Sequence, residues 1–241
     1  MTKVFRSRGI RIKKGNIQDS EPKTYYEPDT RHLMKFEELN KLVKTGVLTY
    51  FEYSEKINGQ LDSLNFHNNF FVSNNILYEK LSSEQKNILN NISDVFGEQF
   101  RNFTTGYRIN ENKICGISYY YYPTVWKETR FGIQGVTEEN VINKMMLKFM
   151  DSYGIVQGDC RNEILFWSRL LYKFKGISVS FDNAENVEYK LYGKIMPNKI
   201  HLLSEYIPKL YSSEIDFNEV ALTSLRIKNG TVTGYNLYYL S

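Results

Sequence analysis

The chain has 241 residues, and its 31 Lys and Arg against 27 Asp and Glu leave a formal net charge of +4. So mild a positive balance suits an anionic ligand and argues against a nucleic-acid binder held by charge alone. With 41% hydrophobic residues the chain can bury a sizeable core, yet no run approaches the ~18 apolar residues of a membrane span, and the opening MTKVFRSRGIRIKKG lacks the apolar centre of a secretory signal.

In chain order, residues 1–14 alternate loosely and read as either a strand or a basic arm, and residues 15–31, with Gly15, Pro22 and Pro28, read as a loop. Phe36, Leu39, Leu42 and Val43 recur at helical spacing within Leu33–Lys44, with Gly46 as a stop. Val47–Ser54 alternates, Asn58-Gly59 marks a hairpin turn, and Leu61–Val72 returns as a strand. Ser82 and Ser83 ahead of Glu84 and Gln85 have the form of a capping box for a helix through Val95 that closes at Gly97. A hairpin over Thr105–Tyr122 follows. Thr137-Glu138-Glu139 opens a helix to about Tyr153. Asp159 caps another over Arg161–Phe174, with the apolar stripe Ile164, Trp167, Leu170 and Leu171 and Gly176 as its end. A hairpin over Ile177–Lys194, a helix from Pro197 to about Tyr211 bent at Pro208, and a hairpin over Thr223–Ser241 with Asn229-Gly230 in its turn complete the chain.

Three of these hairpins share one layout. Their second strands place Ser118 with Tyr120, Lys190 with Tyr192, and Asn236 with Tyr238, each pair two residues apart and so on one face of a strand. The opposite faces carry Ile117, Tyr119 and Tyr121, then Val187, Tyr189 and Leu191, then Tyr235, Leu237 and Tyr239, which suits packing against helices. On the first strands Arg108, Ser180 and Arg226 occupy equivalent slots, as does Glu52 earlier in the chain. Antiparallel hairpins alternating with helices imply an α+β fold. A sheet of this length removes its exposed edges by closing into a barrel with the helices outside. On an open sheet the mixed face is a wet surface, whereas in a closed barrel it lines a basic, aromatic-walled chamber. Arg and Lys can hold a diphosphate, tyrosine faces can stabilise a carbocation and exclude water, and a carboxylate can take a proton.

The basic-any-Tyr stretch YKLYGK (Lys190, Tyr192) and the terminal YNLYYLS (Tyr238, Tyr239) resemble the aromatic prenyltransferases of the ABBA or PT-barrel type, which include indole and cyclic-peptide prenyltransferases. The resemblance implies an antiparallel β-barrel of repeated hairpins with an outer ring of helices, formed by residues 1–241 as one domain, with 1–31 as an irregular N-terminal segment. Four hairpins are evident, and the family's fifth would come from residues 3–14. The resemblance implies transfer of a prenyl group from an allylic diphosphate to an aromatic small molecule or peptide side chain. Arg108, Lys190 and Arg226 would hold the diphosphate, Tyr120, Tyr192 and Tyr238 would shield the allyl cation, and Glu52 would be the catalytic carboxylate at the acceptor. Ser118 and Asn236 depart from the family's basic residue at the slots matched to Lys190.

No cofactor is expected. Magnesium is compatible with the chemistry but no acidic metal motif implies it. His32, His67 and His201 show no ligand spacing, and Cys115 and Cys160 read as reduced thiols of a cytoplasmic protein without nucleic-acid or membrane partners. Two alternatives stand beside this reading: a non-catalytic accessory or immunity protein using the same aromatic-lined sheet, and a single-strand binder stacking bases on tyrosine.

Overall fold

The computed structural model describes residues 3–13, 16–19, 23–68, 81–98, 100–123, 135–156, 158–182, 186–199, 202 and 220–239. Eleven strands run through them: β1 (Lys3–Lys13), β2 (Asn16–Asp19), β3 (Lys23–Tyr26), β4 (Leu48–Lys56), β5 (Leu61–Asn68), β6 (Phe100–Asn110), β7 (Lys113–Pro123), β8 (Leu171–Asp182), β9 (Val187–Ile195), β10 (Val220–Lys228) and β11 (Thr231–Tyr239). Four α-helices accompany them: α1 (Glu37–Lys44), α2 (Ser83–Phe96), α3 (Glu139–Ser152) and α4 (Gly158–Leu170). Neighbouring strands pair antiparallel from β3 through β11 in chain order. β1 then joins the two ends, pairing with β3 over Lys3–Ser7 and with β11 over Arg6–Arg11. Leaving out β2, which among the described residues pairs only with β1, the other ten described strands close into a barrel, and closure leaves their ring without the free edges that invite aggregation.

Local chemistry explains many of the joints. Ser82 Oγ accepts from Gln85 N at 3.1 Å while Gln85 Oε1 accepts from Ser82 N at 3.0 Å, the reciprocal cap expected for α2. Asn229 and Gly230 both have positive φ, +52° and +68°, which gives the tight turn whose twist matches the flanking strands β10 and β11. Glu111 and Asn112 do the same between β6 and β7 at +48° and +59°.

The outer face of the barrel is apolar. α2, α3 and α4 cover β7 to β11 with Phe96, Phe149, Ile164 and Trp167 against Tyr119, Ile177, Val179, Leu191, Leu225 and Tyr235. A second cluster sets α1 against β4 to β6 through Leu39, Leu42, Tyr53, Leu64 and Phe66. Trp167 has no exposed surface. Trp167→Ala is expected to cost about 3–5 kcal/mol in urea unfolding, because the cavity beneath α4 cannot collapse against a rigid sheet. An unchanged midpoint would show that the helix layer does not depend on it.

Two expectations are corrected, and a third only in its first turn. Residues 15–31 contain the strands β2 and β3, because β1 and β4 offer them ladder partners that no local signal reveals. The helix read over Arg161–Phe174 ends at Leu170, and Leu171–Asp182 is a strand. The ladder Leu171–Ile195, Lys173–Lys194 and Phe174–Gly193 with β9, and Phe174 exchanging both backbone hydrogen bonds with Val136 at 2.8 and 2.9 Å, override the helical apolar spacing. Gly176 is therefore a residue inside a strand, with φ of +153°, and not a helix stop. In the expected helix from Pro197 to about Tyr211, Pro197–Lys199 is a single 3-10 turn and Leu202 is α-helical. Apart from Leu202, the rest, including the bend at Pro208, lies outside the described residues, as do Asn69–Val72 of the expected return strand.

A basic and tyrosine-lined barrel interior

Strand parity sends alternate residues inward, and the ladder registers align them across the wall. One row runs Gly106, Ser118, Ser180, Glu188, Lys228, and the next runs Thr104, Tyr120, Ser178, Lys190, Arg226. A third joins Gly176, Tyr192, Ser224 and Asn236. Ser118 and Ser180 share a hydrogen bond at 2.7 Å between hydroxyls, and Ser178 and Tyr192 share one at 3.1 Å. On the other side of the barrel Glu52 pairs with Asn65, and Ser54 with Ser63.

The charged groups gather at the end of the barrel where the hairpins turn, next to the ends of β6, β8 and β10 and the start of β9. Arg226 donates to the Glu188 carboxylate from Nε at 3.2 Å and from Nη2 at 3.0 and 2.8 Å, and Lys190 Nζ stands 3.4 Å from the same carboxylate. Arg108 pairs with Asp182, which also faces Lys228 at 3.6 Å, and Lys23 donates to Asp62 at 2.7 Å. Burial pushes the Glu188 carboxyl up, but Lys190 and Arg226 outweigh it and hold it at about 2. Burial pulls the Lys190 ammonium down to about 8; Glu188 resists, while Arg226, Lys23 and Arg108 add repulsion. Around Glu188 the cations Lys190, Arg226 and Arg108 outnumber it, and a further negative charge would relieve Lys190.

The aromatic groups form a continuous wall beside it. Tyr122 stacks on Tyr120 with ring centroids 6.4 Å apart, Tyr120 tilts against Tyr192 at 6.2 Å, and Tyr192 against Tyr238 at 6.2 Å. Asn236 Nδ2 donates to the Tyr238 hydroxyl at 3.3 Å. Burial raises all four phenols, so they stay neutral at ordinary pH. Two glycines make room for these rings. A Cβ on Gly106 would stand 2.7 Å from Asn65 Oδ1 and 3.1 Å from Tyr120 Cε2, and one on Gly176 would stand 2.3 Å from the Tyr121 carbonyl oxygen and 2.8 Å from Tyr122 Cδ1.

Glu52 accepts from Asn65 Nδ2 at 2.9 Å. Burial pushes its carboxyl up to about 8 against the pull of that hydrogen bond, so it is largely protonated at neutral pH. Its field reaches the hydroxyls of Tyr120 and Tyr122. Asn65 Oδ1 is buried and has no hydrogen-bond partner among the described residues. No group of three or more His, Cys, Asp or Glu collects among the described residues in a way that could hold a metal ion. None of the described helices is long and apolar enough to cross a membrane.

No protein-family model matches the chain, and no curated protein does. Solved structures do. A 6-dimethylallyltryptophan synthase from Micromonospora olivasterospora, in complex with DMASPP and Trp, aligns over 98% of this chain and 81% of its own at 10% identity, with a TM-score of 0.53. A second 6-dimethylallyl tryptophan synthase aligns over 98% and 80% at 10% identity, with a TM-score of 0.56. This is the PT-barrel fold.

The PT-barrel arrangement puts all seven residues singled out from the sequence on the interior rows or at their edge. Arg108, Lys190 and Arg226 lie toward the charged end, Tyr120, Tyr192 and Tyr238 in the aromatic wall, and Glu52 on the far side, within electrostatic reach of Tyr120. The fifth hairpin unit is β1 with β2 and β3, longer than the 3–14 expected for it. Sequence reasoning missed Glu188, Asp182, Asn65 and Tyr122. Glu188 and Tyr122 were visible on the mixed face, but nothing local shows that Glu188 reaches Arg226 on the neighbouring strand. Asn65 becomes meaningful only through the bulge after Tyr50 that sets it opposite Glu52.

Proposed function

We propose that this protein transfers a prenyl group from an allylic diphosphate to an aromatic acceptor, a small molecule or a peptide side chain. The observation that carries this reading is a cation cluster, Lys190, Arg226 and Arg108, on the same barrel wall as the connected rings of Tyr120, Tyr192 and Tyr238. In this reading Lys190 and Arg226 donate charge-assisted hydrogen bonds to the diphosphate and stabilise the charge that develops as the allylic C–O bond breaks. The tyrosine faces lie along the allyl cation and keep water from capturing it. The acceptor ring supplies the electron pair for the new C–C or C–heteroatom bond and gives up its proton to Glu52, which Asn65 orients. The basic side chains supply the positive charge the leaving group needs, so the reaction is expected to run without added metal.

The likeness to 6-dimethylallyltryptophan synthases, one of them in complex with DMASPP and Trp, makes a dimethylallyl donor and tryptophan the first pair to try. Incubation with dimethylallyl or geranyl diphosphate and a panel of indoles, phenols and aromatic peptides, with and without magnesium and EDTA, is expected to give a mass gain of one prenyl unit on at least one acceptor. If no acceptor gains mass and calorimetry finds no prenyl diphosphate bound, the reading is wrong and the barrel is a binding protein.

A further inference from the structure

The seat assigned to the diphosphate is not an open field of positive charge. Glu188 sits inside it, and its carboxylate takes three hydrogen bonds from Arg226 and faces Lys190 at 3.4 Å. The side chains of Lys190, Glu188 and Arg226 are only 22%, 15% and 14% exposed. A guanidinium meets a carboxylate and a phosphate edge with the same pair of N–H donors. The face of Arg226 best suited to a diphosphate is therefore already filled by a group of like geometry and like charge. Glu188 cannot be carried far from the seat. Its backbone is fixed in β9 between Ser180 on β8 and Lys228 on β10, two residues before Lys190.

We propose that Glu188 is a positioning residue and internal counter-ion of the anion seat. It holds Arg226 and Lys190 in place while the seat is empty, yields Arg226 to an incoming diphosphate, and by its charge limits how tightly the diphosphate is retained. The identification of that anion as the released product rests on the prenyl-transfer reading. Competition between Glu188 and a diphosphate for Arg226 does not. In a poorly solvated wall, like charges held side by side repel far more strongly than in water. A glutamine there keeps an oxygen acceptor for Arg226 and loses the charge.

Calorimetric titration with inorganic pyrophosphate tests this on wild type, Glu188→Gln and Glu188→Ala, with circular dichroism as the check on folding. Pyrophosphate is expected to bind E188Q about tenfold or more tightly than wild type. Where prenyl transfer is observed, kcat and the KM for the allylic diphosphate are expected to fall together as release slows. A merely structural role predicts the reverse, weaker binding in both variants. Equal or weaker binding in a folded variant overturns the proposal, as does failure of pyrophosphate to bind any of the three proteins. Loss of the folded state in both variants also overturns it, by making Glu188 a structural residue. Tighter pyrophosphate binding without prenyl transfer by any of them supports the counter-ion and defeats the functional reading alone.

Discussion

Lys190→Ala is expected to lower kcat/KM for the allylic diphosphate by about 10²–10³, the magnitude typical of removing one preorganised donor from a developing anion. Lys190 stands at the centre of the cation cluster, in register with Arg226 on β10 and Ser178 on β8. Its ammonium is held in a poorly solvated wall, where burial has already pulled it down to about 8. A bound diphosphate would reverse that pull, so part of the binding energy appears as proton uptake. Titrations at pH 8–9 in buffers of different ionisation enthalpy should show it, and the K190A variant should not. The fold does not depend on the charge. The folded protein holds this proton less tightly than the unfolded chain does, so the charged form opposes folding below about pH 8 and the opposition fades as pH rises through that value. The variant is accordingly expected to unfold within about 1 kcal/mol of wild type. A loss of activity under fivefold, or one explained by unfolding, would remove Lys190 from the proposed seat.

Glu52→Gln is expected to separate stability from activity. Burial raises the Glu52 carboxyl from the ordinary 4.5 to about 8. The folded state binds this proton more tightly than the unfolded chain, so stability declines as pH rises from about 4.5 and the whole cost is present above about 8. Glutamine has nearly the same shape, can still accept from Asn65, and does not ionise. E52Q should therefore be more stable than wild type at pH 8.5 by roughly 1–3 kcal/mol, read from urea unfolding. Its kcat should fall by about 10²–10⁴, the range for loss of a positioned general base. The two titrations also shape the pH profile. Glu52 must lose its proton and Lys190 must keep its own, so kcat/KM should be bell-shaped and narrow around pH 8. E52Q removes the acid limb and K190A the alkaline one. An unaltered acid limb in E52Q would assign the base to another group.

Much of the wall was legible because alternation is a property of a single strand. Ser118 with Tyr120 and Lys190 with Tyr192 stand two apart, and the pleat alone puts each pair on one face. The turn at Asn229-Gly230 and the cap at Ser82 and Gln85 are equally local, and both form as expected. The failures share the opposite character. Leu171–Phe174 carries a helical apolar stripe and becomes strand because β9 and Val136 offer hydrogen bonds that no neighbouring residue announces. Asn16–Asp19 and Lys23–Tyr26 fall in a stretch that reads locally as loop and still form strands where β1 and β4 supply the ladder. Glu188 stands two residues before Lys190, so the pleat alone puts it on the mixed face. Its importance lies in a guanidinium on β10 that only the register brings to it.

The order of residues thus determined which side of each hairpin is polar and aromatic and which is apolar, because side chains alternate whatever the strand pairs with. Tertiary structure decided that the polar side is enclosed. Enclosure requires β1, near the start of the chain, to complete its hydrogen bonds with β11, near its end, and the barrel so closed turns a row of strand lysines, arginines and tyrosines into the wall of one interior.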